Sequence, residues 1–199
     1  MAARTDTYVA FMRGINVGGK NKLPMRDLVA MFTEAGCTDV RTYIQSGNVV
    51  FSAPPESTKR RAGRGSASAD WAPRFGELTS AEIMARFRLK VPLVLRTADE
   101  LRRVAKGNPF LKSGADEDSL HVAFLGNLPG AKVVASLDHN RSPGDSFEVR
   151  GREVYLHLPN GVARTKLTNA YFDSKLATVS TMRNWRTVLK LIEMTQATE

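Results

Sequence analysis

The stretch Arg13-Gly14-Ile15-Asn16-Val17-Gly18-Gly19-Lys20-Asn21-Lys22 follows the apolar run Tyr8 to Met12 and has the residue types of an anion site. Gly18 and Gly19 can adopt positive φ, which lets successive backbone N–H groups turn inward around a negative charge. Arg13, Lys20 and Lys22 supply cations, and Asn16 either donates to a ligand oxygen or holds the loop by bonding to its backbone. A plain glycine-rich connector with solvated lysines is the competing reading. Gly14 to Lys20 also fits G-x-x-x-x-G-K, the phosphate loop of nucleotide hydrolases. That match fails on its chemistry. Asn21 stands where magnesium needs a hydroxyl, and Pro24 would fall beyond the first turn of a helix begun at Gly19. The apolar run Val91 to Leu95 ends in Arg96-Thr97 rather than in the required Asp.

Other reactive side chains are poorly grouped. His121, His139 and His157 have no acidic or cysteine partner at ligand spacing, so no metal site is indicated. Cys37 follows a helix-ending Gly36 and reads as a buried structural thiol. General acid–base chemistry needs a positioned carboxylate or histidine, whereas Asp27, Asp39, Asp99 and Glu100 read as solvated or helix-start carboxylates. The sequence indicates no cofactor.

The elements that must hold these residues follow from patterning. Thr7 to Met12 reads as a strand, and Pro24 opens a helix with Leu28, Val29, Met31 and Phe32 on its apolar stripe. Val40 to Ile44 and Asn48 to Phe51 read as antiparallel strands joined by the turn QSGN. Thr79 caps a short helix bearing Ile83, Met84 and Phe87; Val91 to Leu95 is a strand, and Ala98 to Ala105 a helix. The order repeats from Ser119: strand Leu120 to Leu125, helix Ala131 to Leu137, a hairpin of Phe147 to Val149 with Glu153 to His157, and a helix near Arg164 to Phe172. Thr181 then caps a last helix with Met182, Trp185, Val188, Leu189 and Ile192 on one face. The repeated order predicts an α+β chain of two ferredoxin-like βαββαβ halves with antiparallel sheets and a C-terminal helix. The halves are expected over 1–107 and 108–199, although no residue-level repeat is visible. Residues 54–76, rich in Pro, Gly, Ser and basic residues, read as a flexible basic insertion whose removal leaves the fold intact.

Composition narrows the setting. At 199 residues with 42% hydrophobic and 25% charged residues, the chain is an ordinary globular protein with one cysteine. No run approaches the length of a membrane span, so no membrane partner is expected, and the cytoplasm is the default location. The net charge of +9 favours polyanion partners. Five basic and two acidic residues between Pro54 and Phe75 carry part of that excess, leaving the rest of the chain moderately basic.

Several motifs, in order, carry a resemblance: YVAFMRGINVGGKNKLPMRDL, VRTYIQSGNVVF, NPF from Asn108, KLTN from Lys166, and TMRNWRTVLKL from Thr181. Together they resemble the bacterial domain of unknown function 1697 family. The resemblance implies an α+β protein of two ferredoxin-like halves and brings no established activity. Its polar positions here are Arg13, Gly14, Asn16, Gly18, Gly19 and Lys22; Gln45, Ser46, Gly47 and Asn48; Arg96 and Asn108; and Lys166, Thr168, Asn169, Arg183 and Asn184.

The functional expectation is a binding protein that holds a phosphate-bearing small molecule or RNA on the loop 13–22. Gln45 and Asn48 serve the turn or project beside that loop. Arg96 follows the fourth strand. Lys166, Asn169 and Arg183 either reach a ligand between the halves or serve helix ends, and Trp185 packs in the core. RNA binding on the sheet would need exposed aromatics, for which Tyr8, Tyr43 and Phe51 are available. The alternatives are an enzyme acting on a phosphorylated or amide-bearing small molecule, and a protein-interaction module.

Overall fold

The structure is a computed structural model that describes residues 6–58 and 67–196. The chain is α+β and divides into two compact units, Met1–Glu100 with Leu191–Glu199, and Leu101–Lys190.

In the first unit, β1 (Thr7–Met12), α1 (Met25–Glu34), β2 (Thr38–Tyr43), β3 (Asn48–Ser52), α2 (Ala67–Phe87) and β4 (Leu93–Thr97) follow in the ferredoxin-like order. Their antiparallel sheet runs β2-β3-β1-β4. Side chains alternate across β1, so Tyr8, Ala10 and Met12 pack toward the helices with Val49, Phe51 and Leu95. Leu28, Met31 and Phe32 of α1 and Phe75 and Ile83 of α2 complete that core. Gly36, at φ +83°, stops α1 as its position predicts: Gly36 N–H bonds Thr33 O and Cys37 N–H bonds Phe32 O, the paired bonds of a left-handed helix end.

The stretch expected to be a flexible insertion differs in its second part. Residues 67–76 are the first half of α2, while 59–66 lie outside the described residues. Trp71, Phe75, Thr79, Ile83 and Phe87 recur every fourth residue and form one helical face, of which Phe75, Thr79 and Ile83 are buried. Pro73 and Gly76 obscured that face by their usual role as helix breakers. Gly76 instead marks a close approach, since a Cβ there would come within 3.2 Å of Leu95 and 3.3 Å of Leu93 on β4. Removing 55–75 therefore removes core side chains.

Helix α3 (Ala98–Lys106) leads from the first unit into the second, where the short α4 (Pro109–Lys112) precedes β5 (Leu120–Leu125), α5 (Ala131–Ala135), β6 (Ser146–Arg150), β7 (Glu153–His157), α6 (Asn169–Leu176) and β8 (Ser180–Asn184). The second sheet runs β6-β7-β5-β8, the same order as the first. A final helix, α7 (Trp185–Gln196), closes the chain. Strand β8 corrects the expectation of a helix capped by Thr181. Residues 180–184 pair with β5, and the cap is Asn184, whose Oδ1 accepts from Thr187 N–H at 2.8 Å. Met182 accordingly leaves the helical face, and Leu189 is exposed; Trp185 is buried as expected. Helix α6 also begins later than expected, at Asn169, with Thr168 accepting from Tyr171 N–H as its cap.

A residue-level repeat emerges once the sheets are compared. Val9-Ala10-Phe11 of β1 and Val122-Ala123-Phe124 of β5 hold matching positions, with Val9 opposite Arg96 and Val122 opposite Arg183. His121 then corresponds to Tyr8 and is buried in the same way. Burial lowers the His121 pKa, against a smaller opposing effect of its bond to the Ser119 carbonyl. The folded protein therefore resists a proton that the unfolded chain accepts at its ordinary value, so stability is full above about pH 6.5 and falls as pH drops below it. Urea midpoints measured from pH 7.5 to 5 are expected to decline, and His121→Phe is expected to flatten that decline. An equal decline in the variant would remove His121 as its source.

Candidate functional site

The loop after β1 is built by its own asparagines. Asn16, at φ +53°, uses Nδ2 to donate to Leu23 O at 2.9 Å and to Gln45 O at 3.0 Å, while its Oδ1 accepts from Leu23 N–H at 2.9 Å. Asn21, at φ +50°, donates to Gly14 O at 2.7 Å. Asparagine suits both places because its short amide can bond locally and tolerates left-handed backbone. Of the two roles open to Asn16, the structure displays the loop-holding one.

Gly18 and Gly19 form the tip of a two-residue hairpin. Lys20 N–H bonds Val17 O at 3.0 Å, and the φ values of +56° and +74° are those of a turn with both central residues left-handed. The amides of Asn16 and Lys20 are tied to the carbonyls of Asn21 and Val17, so positive φ here serves the hairpin. Lys20 is exposed at the tip.

A groove of about 480 Å³ opens beside this loop. Asn16, Gly19, Lys22, Met25 and Gln45 line it, which brings the β2–β3 turn and the first loop together. The bond from Asn16 to the Gln45 carbonyl crosses 29 positions of sequence to make that junction. The start of α1 borders the groove through Pro24 and Met25, and no side chain caps it. A helix start carries unsatisfied N–H groups and partial positive charge, which favour an anion. The lining has no carboxylate, imidazole or thiol. Its amides and Lys22 are equipped to hold charge and hydrogen-bonding oxygen.

The remaining expected residues lie elsewhere. Arg13 is half-buried directly after β1, its N–H bonded to Pro92 O, and does not line the groove. Asn48 is fully buried, and its Nδ2 donates to Tyr43 O and to Ser46 Oγ, so it fixes the turn. Arg96 is buried, with NH1 bonded to Leu95 O at 2.8 Å. Arg183, its counterpart on β8, repeats the bond to the preceding carbonyl and adds Thr181 Oγ1, both at 2.8 Å. Burial draws the Arg183 guanidinium down to about 10, still charged at neutral pH. Asn169 accepts from Ser180 Oγ through both its backbone and side-chain oxygens, and Lys166 is exposed with its N–H on Ser142 Oγ. Tyr8 and Phe51 face the helices in the core, leaving only Tyr43 half-exposed among the aromatics a sheet-bound RNA would need. Sequence reading missed Asn21 and Ile44. Ile44 is exposed at φ +47° next to Gln45, a conformation unusual for a β-branched residue and carrying no local signal.

Reactive groups elsewhere are held neutral. Cys37 and Tyr8 are both pushed up to about 12, Cys37 by burial and Tyr8 by burial with the nearby charges of Asp6 and Glu100. Among the described residues no three acidic, histidine or cysteine side chains group to hold a metal ion, and no helix is long and apolar enough to cross a membrane.

The family model described as a protein of unknown function, DUF1697, matches residues 5–155. The chain belongs to the DUF1697 family. The match contains the whole first sheet and its groove, whereas the motifs from Lys166 onward lie beyond it. Among solved structures, the conserved bacterial protein SP0830 from Streptococcus pneumoniae is similar at 21% identity and a TM-score of 0.66. That similarity covers 96% of this chain and 99% of the other, so the likeness of fold takes in the second sheet as well. No curated protein matches the chain.

Proposed function

We propose that this DUF1697 protein binds a small phosphate-bearing ligand, of nucleotide size, in the groove between its first loop and the start of α1. The reading rests on one observation: Lys22, Gln45 and the uncapped N-terminus of α1 meet in a groove of about 480 Å³. Phosphate oxygens accept from the helix amides and Lys22, and Gln45 orients the remainder of the ligand. Small size is favoured over RNA because Tyr8 and Phe51 are turned into the core. A lining of amides and one lysine supports binding of an anion. The single, buried thiol of Cys37 supports a cytoplasmic setting.

Isothermal titration with inorganic phosphate, AMP, GMP and CMP tests the proposal. Lys22→Ala is expected to weaken the tightest of these by at least about tenfold, as removal of one charge-assisted contact does, without shifting the melting temperature. Unchanged affinity in Lys22→Ala, or no heat with any of the four probes, defeats the reading. Short RNA is expected to bind no more tightly than the mononucleotide and to show no steeper salt dependence.

A further inference from the structure

Asn16 and Gln45 both bring side-chain amides to the groove beside α1, and the structure uses them differently. The Asn16 amide is committed to the loop: its Nδ2 donates to Leu23 O and Gln45 O, and its Oδ1 accepts from Leu23 N–H. Gln45 joins that network through its backbone carbonyl. Its side chain is exposed, and the amide has no hydrogen-bond partner among the described residues. The junction therefore needs a carbonyl at position 45 and not this side chain.

The rest of the lining limits what that amide can meet. Leu23, Pro24 and Met25 give the groove an apolar side, and Met25 is held by packing against the core. Gly19 adds backbone without a side chain, and a Cβ there would meet nothing within 4 Å. At about 480 Å³ the groove lies in the range of sites that take whole small molecules. A phosphate held at the start of α1 leaves both the apolar side and the Gln45 amide without a partner.

A flat heteroaromatic ring with a polar edge answers both. An amide presents a donor and an acceptor side by side, so it pairs with an edge that carries an acceptor beside a donor. Adenine holds its exocyclic amine between the ring nitrogens N1 and N7 and offers that pair on either edge. Guanine presents two acceptors, O6 and N7, on one of its edges, and cytosine has one such pair.

We infer that Gln45 reads the base of an adenine nucleotide in this groove. The phosphate sits on Lys22 and the α1 amides, the ring lies against Met25, and the adenine amine and a neighbouring ring nitrogen pair with the Gln45 amide. This inference rests on the phosphate-binding reading of the same groove.

The probes are AMP, purine riboside 5′-monophosphate, which lacks only the amine, and ribose 5-phosphate, which lacks the base. Each is titrated calorimetrically into the full chain and into Gln45→Met, which keeps the length of the side chain and removes its amide. The parent is expected to bind AMP at least about fivefold more tightly than the purine riboside nucleotide, the discrimination of one bidentate amide–base contact. In Gln45→Met the two purine nucleotides are expected to bind within about twofold of each other, because the amine and the amide act as one pair. Ribose 5-phosphate affinity and the melting temperature are expected to match the parent, since the carbonyl that Asn16 uses is retained. Lys22→Ala is expected to weaken all three ligands alike. Equal binding of the two purine nucleotides by the parent, or an undiminished gap in Gln45→Met, overturns the inference. Ribose 5-phosphate binding that is lost in Lys22→Ala would then still uphold the phosphate groove, whereas no heat from any of the three overturns both.

Discussion

Phe75→Ala is expected to lower the unfolding free energy by about 3–5 kcal/mol, the usual cost of deleting a buried aromatic ring. Phe75 is 6% exposed and touches three other rings: Trp71 at 4.7 Å, Phe32 at 5.3 Å and Phe51 at 5.5 Å between centroids. Its loss opens a cavity where α1, α2 and β3 meet. None of these neighbours can close it without leaving its own place, because close-packed interiors relax only partly. Urea unfolding monitored by circular dichroism measures the change. A flexible insertion would predict almost none, so a cost below about 1 kcal/mol would return residues 67–76 to the role of a loose loop.

Gly47→Ala is expected to be nearly as damaging, at about 2–4 kcal/mol, from left-handed strain and overpacking together. The residue sits at φ +79°, and a Cβ built there would lie 2.7 Å from Met12 Cβ and 2.9 Å from Ile15 Cδ1. Met12 Cβ cannot swing aside, since it is fixed to a strand whose own N–H bonds Gly47 O at 2.8 Å. Gly18→Ala and Gly19→Ala supply the internal control. Their φ values are also positive, but nothing lies within 4 Å of either built Cβ, so only backbone strain of about 1–2 kcal/mol is expected. Thermal melts of the three variants compare the two situations. Equal losses at all three positions would show that crowding at Gly47 contributes nothing.

That contrast separates what a glycine motif says from what it means. GG at positions 18 and 19 announces positive φ, and the structure has it, but hydrogen bonds from Lys20 to Val17 and from Asn16 to Asn21 make it a hairpin tip. The groove beside it depends on Gln45, which comes to the loop only because β2 and β3 fold back beside β1. Asn48 and Arg96 matched the same family motifs, yet burial assigns both to holding the sheet.

By itself the sequence determined the features that local chemistry controls. The α+β class with two ferredoxin-like orders, the QSGN hairpin and the Gly36 stop follow from turn residues and periodicity acting within a few positions. Only the tertiary structure decided the rest. Strand β8 exists because β5 presents a free edge to residues 180–184, and the start of α2 is held as helix because Trp71 and Phe75 have an aromatic bed on Tyr8, Phe32 and Phe51. Whether an arginine is a ligand group or a buried post depends on which face of a strand it occupies, and pairing with distant strands sets that face. Short-range preferences are written in neighbouring residues; burial and convergence are set by partners tens of positions away.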